Sequence, residues 1–206
     1  MHIAAIAVRK RKGMEMKLIG IEKVKDGKYL KNYELTYLNK AGREKKYEIV
    51  SRKELADAED IGKKVSGISI AAVNDGKLLL LKEFRMGVNK TVYNLCAGMI
   101  EEGETVMDCI KRELYEETGL SVKKVIDILP ASFAAVAISD MKTHIVFVEA
   151  EGTFEDHTSE NEMIEAAFYS REETAALLQT EEFSSRAQMV AYFFSKNLFP
   201  GFGSAK

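Results

Sequence analysis

Glu113, Glu116 and Glu117 stand at i, i+3 and i+4, and of all residues in the chain they are best spaced to do chemistry together. On a helix turning about 100° per residue they fall within roughly 100° of arc. Val106, Ile110 and Leu114 form an apolar stripe on the same stretch, and Glu117 projects at nearly the azimuth of Val106 and Ile110. The carboxylates are therefore carried at least partly into the body of a domain. Close carboxylates out of water repel one another and take up protons unless cations sit among them. Such clustered oxygens suit a hard divalent ion, Mg²⁺ above all with Mn²⁺ as a substitute, which can also share the phosphate oxygens of a substrate. The bland alternative is a solvated acidic surface helix, and the helix alone leaves both open.

The flanking residues define the element. Thr105 is placed to cap the helix, with Asp108 as its reciprocal partner, and Gly119 stands just past the last turn as a stop. Arg112 lies beside Glu113, one turn before Glu116, and can reach back to Glu104 in the preceding loop. An Arg–carboxylate contact there locks loop to helix.

From Gly98, five residues lead to Glu104 and seven more to Arg112-Glu113-Leu114-x-Glu116-Glu117-x-Gly119-Leu120. This pattern resembles the Nudix box at all nine specified sites. The resemblance implies an α/β Nudix fold, a mixed sheet sandwiched between helices, and hydrolysis of a nucleoside diphosphate linked to another moiety. It further implies a metal site made by Glu113, Glu116, Glu117 and the Ala97 carbonyl, with Arg112 and Glu104 as the other box residues.

The elements before the box add to this. Residues 17–52 read as three antiparallel strands separated by Asp26-Gly27 and by Asn39-Lys40-Ala41-Gly42. Three strands alone are marginal, so the unit must pack on something else. Nudix enzymes resembling ADP-ribose pyrophosphatases carry such an N-terminal β subdomain, commonly exchanged across a homodimer. That subfamily places an Arg near Arg52 and another near Arg85 against the substrate phosphates. Residues 54–64 read as a polar connector, so the division expected is an arm at 1–16, a β subdomain with connector at 17–64 and a Nudix domain at 65–206. In the latter, two apolar runs flank Asn74-Asp75-Gly76, a strong hairpin signal. Their near-continuous apolar content predicts central strands covered on both faces. Where the family writes Leu-Pro-Ala-Gly before the box, this chain has Leu95-Cys96-Ala97-Gly98.

After the box come strands near 124–130 and 143–149, a strand in Met163–Ser170, a short helix capped by Ser170 and Glu173, and a closing helix near 184–198. ADP-ribose pyrophosphatases carry a proline sixteen residues past the box, where this chain has Val136. The acidic stretch 151–162 includes Ser159-Glu160-Asn161-Glu162, similar to a family loop whose first Glu is the general base. Glu160 matches best and Glu162 is second. His157 nearby reads as simply exposed.

Composition bounds the rest. Two cysteines, with no CxxC and no nearby His pair, argue against structural zinc and a disulfide scaffold. A reducing cytoplasm fits. No apolar run approaches the roughly 20 residues that cross a bilayer. The opening apolar-then-basic order inverts a signal peptide, and Met14 reads as an alternative start. Residues 1–64 hold 17 Lys and Arg against 10 Asp and Glu, and residues 65–206 hold 13 against 22. The four-residue basic run at 9–12 reads as solvated, and no nucleic-acid partner is expected. The substrate expected first is ADP-ribose, giving AMP and ribose 5-phosphate. A nucleotide sugar, a dinucleoside polyphosphate, a damaged nucleoside triphosphate and a ligand-sensing regulator are the rivals.

Overall fold

The computed structural model describes residues 15–198, so the arm at 1–14 and the Met14 start lie outside the described residues. The described residues divide into two compact units, one of 15–64 with Phe133–Met141 and one of Val65–Ser132 with 142–198.

The first unit is a three-stranded antiparallel sheet, β1 (Lys17–Asp26), β2 (Lys31–Leu38) and β3 (Glu44–Ser51), in the order β1-β2-β3. The β2–β3 turn is closed by Asn39, whose side-chain oxygen accepts the N–H groups of Ala41 and Arg43. One face of the sheet buries Tyr33, Leu35, Ile49 and Leu55. Leu55 falls in the stretch expected to be a polar connector. It is tied down because its N–H donates to the Tyr33 hydroxyl at 3.0 Å, which in turn lies 3.1 Å from Glu54 Oε2. The second chain segment of this unit, 133–141, begins within a two-residue strand β9 (Ser132–Phe133) and is stitched to β3. Val50 N–H donates to the Ile138 carbonyl at 2.8 Å and the Tyr47 hydroxyl to the Ala137 carbonyl at 2.7 Å.

The second unit is built on a mixed sheet whose main path runs β11-β5-β4-β10-β8. Its strands are β4 (Val65–Asn74), β5 (Lys77–Arg85), β6 (Lys90–Asn94), β7 (Cys96–Met99), β8 (Ser121–Ile128), β10 (Lys142–Glu151) and β11 (Ile164–Tyr169). The β4–β5 turn has positive φ at both Asp75 and Gly76, the geometry that matches strand twist in a two-residue hairpin. The two strands pair only near this tip, at Val73↔Leu78 and Asn74↔Lys77. Beyond it they part. β4 continues against β7, β5 continues against β6, and parallel β10 covers the other side of β4.

Side chains alternate across this sheet. Ile68, Ile70, Leu79 and Leu81 face α1 (Val106–Thr118), where Cys109, Ile110 and Leu114 meet them. Ala71, Val73, Leu78 and Leu80 face the opposite side, covered by Ala187, Val190, Ala191 and Phe194 of α3 (Ser185–Ser195). On that same side lies α2 (Arg171–Thr180), whose Leu177 and Leu178 join the cluster and which starts with the capping box formed by Ser170 and Glu173. A mixed sheet between helices, accompanied by a separate small antiparallel sheet, is the α/β architecture that the sequence predicts. Among the described residues, no helix is long and apolar enough to cross a membrane.

Tyr33 is 1% exposed, so replacing it by Phe strips a buried N–H of its acceptor. Tyr33→Phe is expected to cost the first unit about 1–3 kcal/mol, read by chemical denaturation. A cost near zero would show that the Leu55 N–H finds another partner.

Candidate functional site

Helix α1 is set by its ends. Thr105 accepts the Asp108 N–H at 3.2 Å, and Gly119 adopts φ 76° with its N–H on the Tyr115 carbonyl. The reciprocal arm of the cap differs from expectation, because the Thr105 hydroxyl, not its N–H, bonds Asp108 Oδ2 at 2.6 Å. The shorter Asp side chain meets the hydroxyl instead of reaching back to the backbone as Glu does in a capping box.

Along this helix the three carboxylates grade from core to solvent. Glu113 is 9% exposed, Glu117 is partly buried and the Glu116 side chain is 52% exposed. Glu113 packs so closely on the preceding loop that a Cβ on Gly98 would lie 1.7 Å from its carboxyl carbon, so glycine leaves room for the carboxylate where any larger residue must displace it. Glu117 Oε2 accepts the Ala97 N–H at 3.1 Å.

Arg112 holds loop and helix together. Its Nε and Nη2 take both oxygens of Glu104 at 2.8 and 3.0 Å, and its Nη1 takes Glu113 at 2.8 Å and Glu116 at 3.0 Å. Nη2 also donates to the Met99 carbonyl at 2.9 Å. The Arg112 hydrogen bonds hold Glu104 down at a pKa of about 2. Burial acts the other way on the remaining pair. It raises Glu113, and it raises Glu117 to about 8, with the nearby Glu113 and Glu83 charges adding to the effect. The partners of Glu117 are the Ala97 N–H and the Cys96 thiol, neither of them a cation.

These groups line one cleft of about 560 Å³. Glu113, Glu116, Glu117, Arg112, Ala97 and Gly98 line it together with Glu83, Arg85, Asn161 and Glu162, and Phe84, Met86, Met99 and Met163 add apolar surface. Glu162 comes to the cleft because Ile164 pairs opposite Glu83 at the start of β11, and Ser159 binds Glu162 Oε2 through both its N–H and its hydroxyl, at 3.0 and 2.9 Å.

The NUDIX domain model matches residues 63–193. The chain belongs to the Nudix family. It is 28% identical over 174 residues to the ADP-ribose pyrophosphatase of Bacillus subtilis, covering 83% of this chain and 87% of that protein. It is 30% identical over 139 residues to the ADP-sugar pyrophosphatase of mouse, covering 64% of this chain but 60% of the mouse protein. A crystal structure of an ADP compounds hydrolase superposes with a TM-score of 0.69 over 91% of this chain and 96% of that one, at 19% identity, which speaks for the shared fold. The chain is thus an ADP-ribose pyrophosphatase-like Nudix hydrolase, of a family that generally works with a divalent metal.

Measured against the sequence expectations, the Nudix cleft gathers Glu113, Glu116, Glu117, Arg112, Ala97, Arg85 and Glu162. Glu104 sits behind Arg112 as its partner and does not line the cleft. Glu160, the first choice for the loop carboxylate, is exposed and also outside the lining. Arg52 belongs to the other unit, exposed just after β3. Ala97 offers its N–H to Glu117, and the carboxylates point to Arg112 and this N–H instead of to each other. Among the described residues no three metal-binding side chains are gathered at coordinating distance. The chemistry of the donor set nevertheless fits a cation, since partly buried Glu117 has no positive partner among the described residues.

Two features went unread in sequence. His157 is not a free loop residue: its ring stacks on Tyr115 at 4.5 Å and its Nε2 lies 3.1 Å from Glu155. The Glu155 N–H donates to the Thr118 carbonyl, which docks the acidic loop on the end of α1. The other is Glu83, 4% exposed in the cleft. The only available signal was its two-residue spacing from Leu81 and Arg85, which puts all three on one strand face.

The Glu104–Arg112 pair yields a pH prediction. Because the folded pKa of Glu104 lies below its unfolded value, its contribution is complete above about pH 4.5 and disappears as pH falls towards 2. Unfolding midpoints from pH 6 down to 2 are expected to fall less steeply in Glu104→Gln than in the wild type; parallel curves would refute the assignment. Gly98→Ala is expected to displace the Glu113 carboxylate and lower hydrolysis at least about tenfold with the fold retained by circular dichroism.

Proposed function

We propose that this Nudix hydrolase uses Mg²⁺ to split the diphosphate of ADP-ribose into AMP and ribose 5-phosphate, with Glu113, Glu116 and Glu117 holding the ion. The observation that carries the reading is the convergence, in one cleft, of Glu113, a Glu117 without a cationic partner, and the exposed side chain of Arg85. When bound, the cation neutralises diphosphate charge and polarises both a phosphoryl oxygen and the attacking water. Arg85 grips the phosphates by charge-assisted hydrogen bonds. Glu162, oriented by Ser159, accepts the proton as water attacks one phosphorus in line and the P–O bond to the leaving phosphate breaks.

ADP-ribose as substrate is supported by the Bacillus relative, aligned over most of both chains. A second reading, another nucleoside diphosphate sugar, is favoured by Val136. This residue stands 76% exposed in the 133–141 segment, where ADP-ribose pyrophosphatases keep a proline.

A phosphate-release assay coupled to a phosphatase that cleaves the phosphomonoester products, run over ADP-ribose, nucleotide sugars and dinucleoside polyphosphates, decides between them, and a clear preference for a nucleotide sugar would favour the second. Chelation is expected to abolish turnover and Mg²⁺ to restore it. Glu113→Gln and Glu117→Gln are expected to lose about a hundredfold or more in kcat. The metal-free Glu117→Gln protein should melt no lower than wild type at pH 9, above the raised Glu117 pKa of about 8, because there it no longer buries an ionised carboxylate. Wild-type turnover in both variants would end the proposal.

A further inference from the structure

Arg85 stands at the mouth of the cleft with its side chain 58% exposed, a long and mobile side chain for a residue that must meet a diphosphate in one orientation. It does not stand alone. Its Nη1 lies 3.1 Å from Oε1 of Glu83, whose side chain is only 5% exposed. The same oxygen accepts from Asn94 Nδ2 at 2.6 Å. Leu81 pairs opposite Asn94 and Glu83 opposite Val92, so Glu83 and Asn94 are diagonal neighbours on one face of β5 and β6. Asn94 Oδ1 in turn accepts the Ser184 hydroxyl at 2.6 Å.

This chain has one sense. The Ser184 oxygen accepts the Ala187 N–H at 3.4 Å as the N-cap of α3, which leaves its hydroxyl hydrogen for Asn94. With its carbonyl oxygen engaged, the Asn94 amide must present its NH₂ to Glu83. Ser184 itself is clamped to β6, its N–H on the Tyr93 carbonyl at 2.9 Å and the Tyr93 N–H on the Glu182 carbonyl at 2.8 Å. Tyr93 stacks on Phe183 at 5.2 Å beside them.

We infer that Ser184 and Asn94 are positioning residues for Arg85, acting through the buried Glu83 carboxylate to hold its guanidinium towards the substrate diphosphate. The inference rests on the reading of Arg85 as the phosphate grip. A buried carboxylate with one amide donor and one cation keeps both in place, since losing either leaves it undercompensated. The rigidity of the α3 start is thereby passed through three side-chain contacts to a residue that would otherwise sample many rotamers. Substrate binding, more than the chemical step, is what this device serves.

Steady-state kinetics with ADP-ribose and Mg²⁺, on purified full-length protein checked by thermal melting, tests it. Asn94→Ala is expected to raise KM about five- to tenfold with kcat within about twofold. Ser184→Ala should raise KM about threefold, whereas Ser184→Thr, which keeps the hydroxyl, should return it to the wild-type value. In an Arg85→Ala background, Asn94→Ala should change KM no further. If Asn94→Ala leaves KM unchanged, acts on kcat instead, or raises KM as much without Arg85 as with it, the inference falls while the grip stands. If Asn94→Ala fails to fold, the Ser184→Ala and Ser184→Thr pair decides by the same criterion. Should Arg85→Ala itself leave KM unaltered, the reading of Arg85 falls and takes the inference with it.

Discussion

The Arg112 guanidinium reaches two oxygens of Glu104, one each of Glu113 and Glu116, and the Met99 carbonyl. One fixed positive charge thereby makes it possible to keep a row of acids half inside a folded body. Without it, Glu113 would face burial beside Glu116 with nothing to offset either cost. The planar fork matters as much as the charge, since it spans loop and helix at once and so fixes where α1 begins relative to β7. Glu117 lies beyond its reach. It is the member of the row that the protein leaves uncompensated.

The sheet is arranged around the same row. A conventional hairpin would have filled the space beside β4 with β5 along its whole length. Here the pair separates after two residue pairs, and β6 and β7 enter the opening. That opening brings Ala97 and Gly98 under the end of α1, and it turns the outer part of β5 into a cleft wall. Leu79 and Leu81 lie in the core; two and four residues on, the same face carries Glu83 and Arg85. A single strand thus supplies first packing and then polar contacts, simply by running past the edge of the hydrophobic layer.

Much of this was legible in the sequence, and for identifiable reasons. Helix α1 announces itself through its cap residue, its stripe and its terminal glycine, all local signals. The Asp75-Gly76 turn, the two-faced burial of β4 and the Ser170–Glu173 capping box are equally local. What escaped depends on partners far apart in sequence. Asn94 and Ser184 meet across 90 residues, and neither type is unusual where it stands. Glu160 looked the better match by motif, yet the β11 register against β5 brings Glu162 to the cleft. Leu55 lay in a stretch too polar to read as core, and only the depth of Tyr33 draws it in.

The return of residues 133–141 to the first unit has a consequence for synthesis. The three strands ending at Ser51 leave the ribosome early, but Ile138 and Ala137, which cover the outer edge of β3, follow some ninety residues later. For that interval the edge of β3 lacks the Val50 and Tyr47 hydrogen bonds, which makes it an open template for stray strand pairing. Completion of the small sheet is thus chronologically subordinate to the helix that bears the carboxylates. A cut at residue 64 would not release an intact module, because its last piece is encoded inside its neighbour.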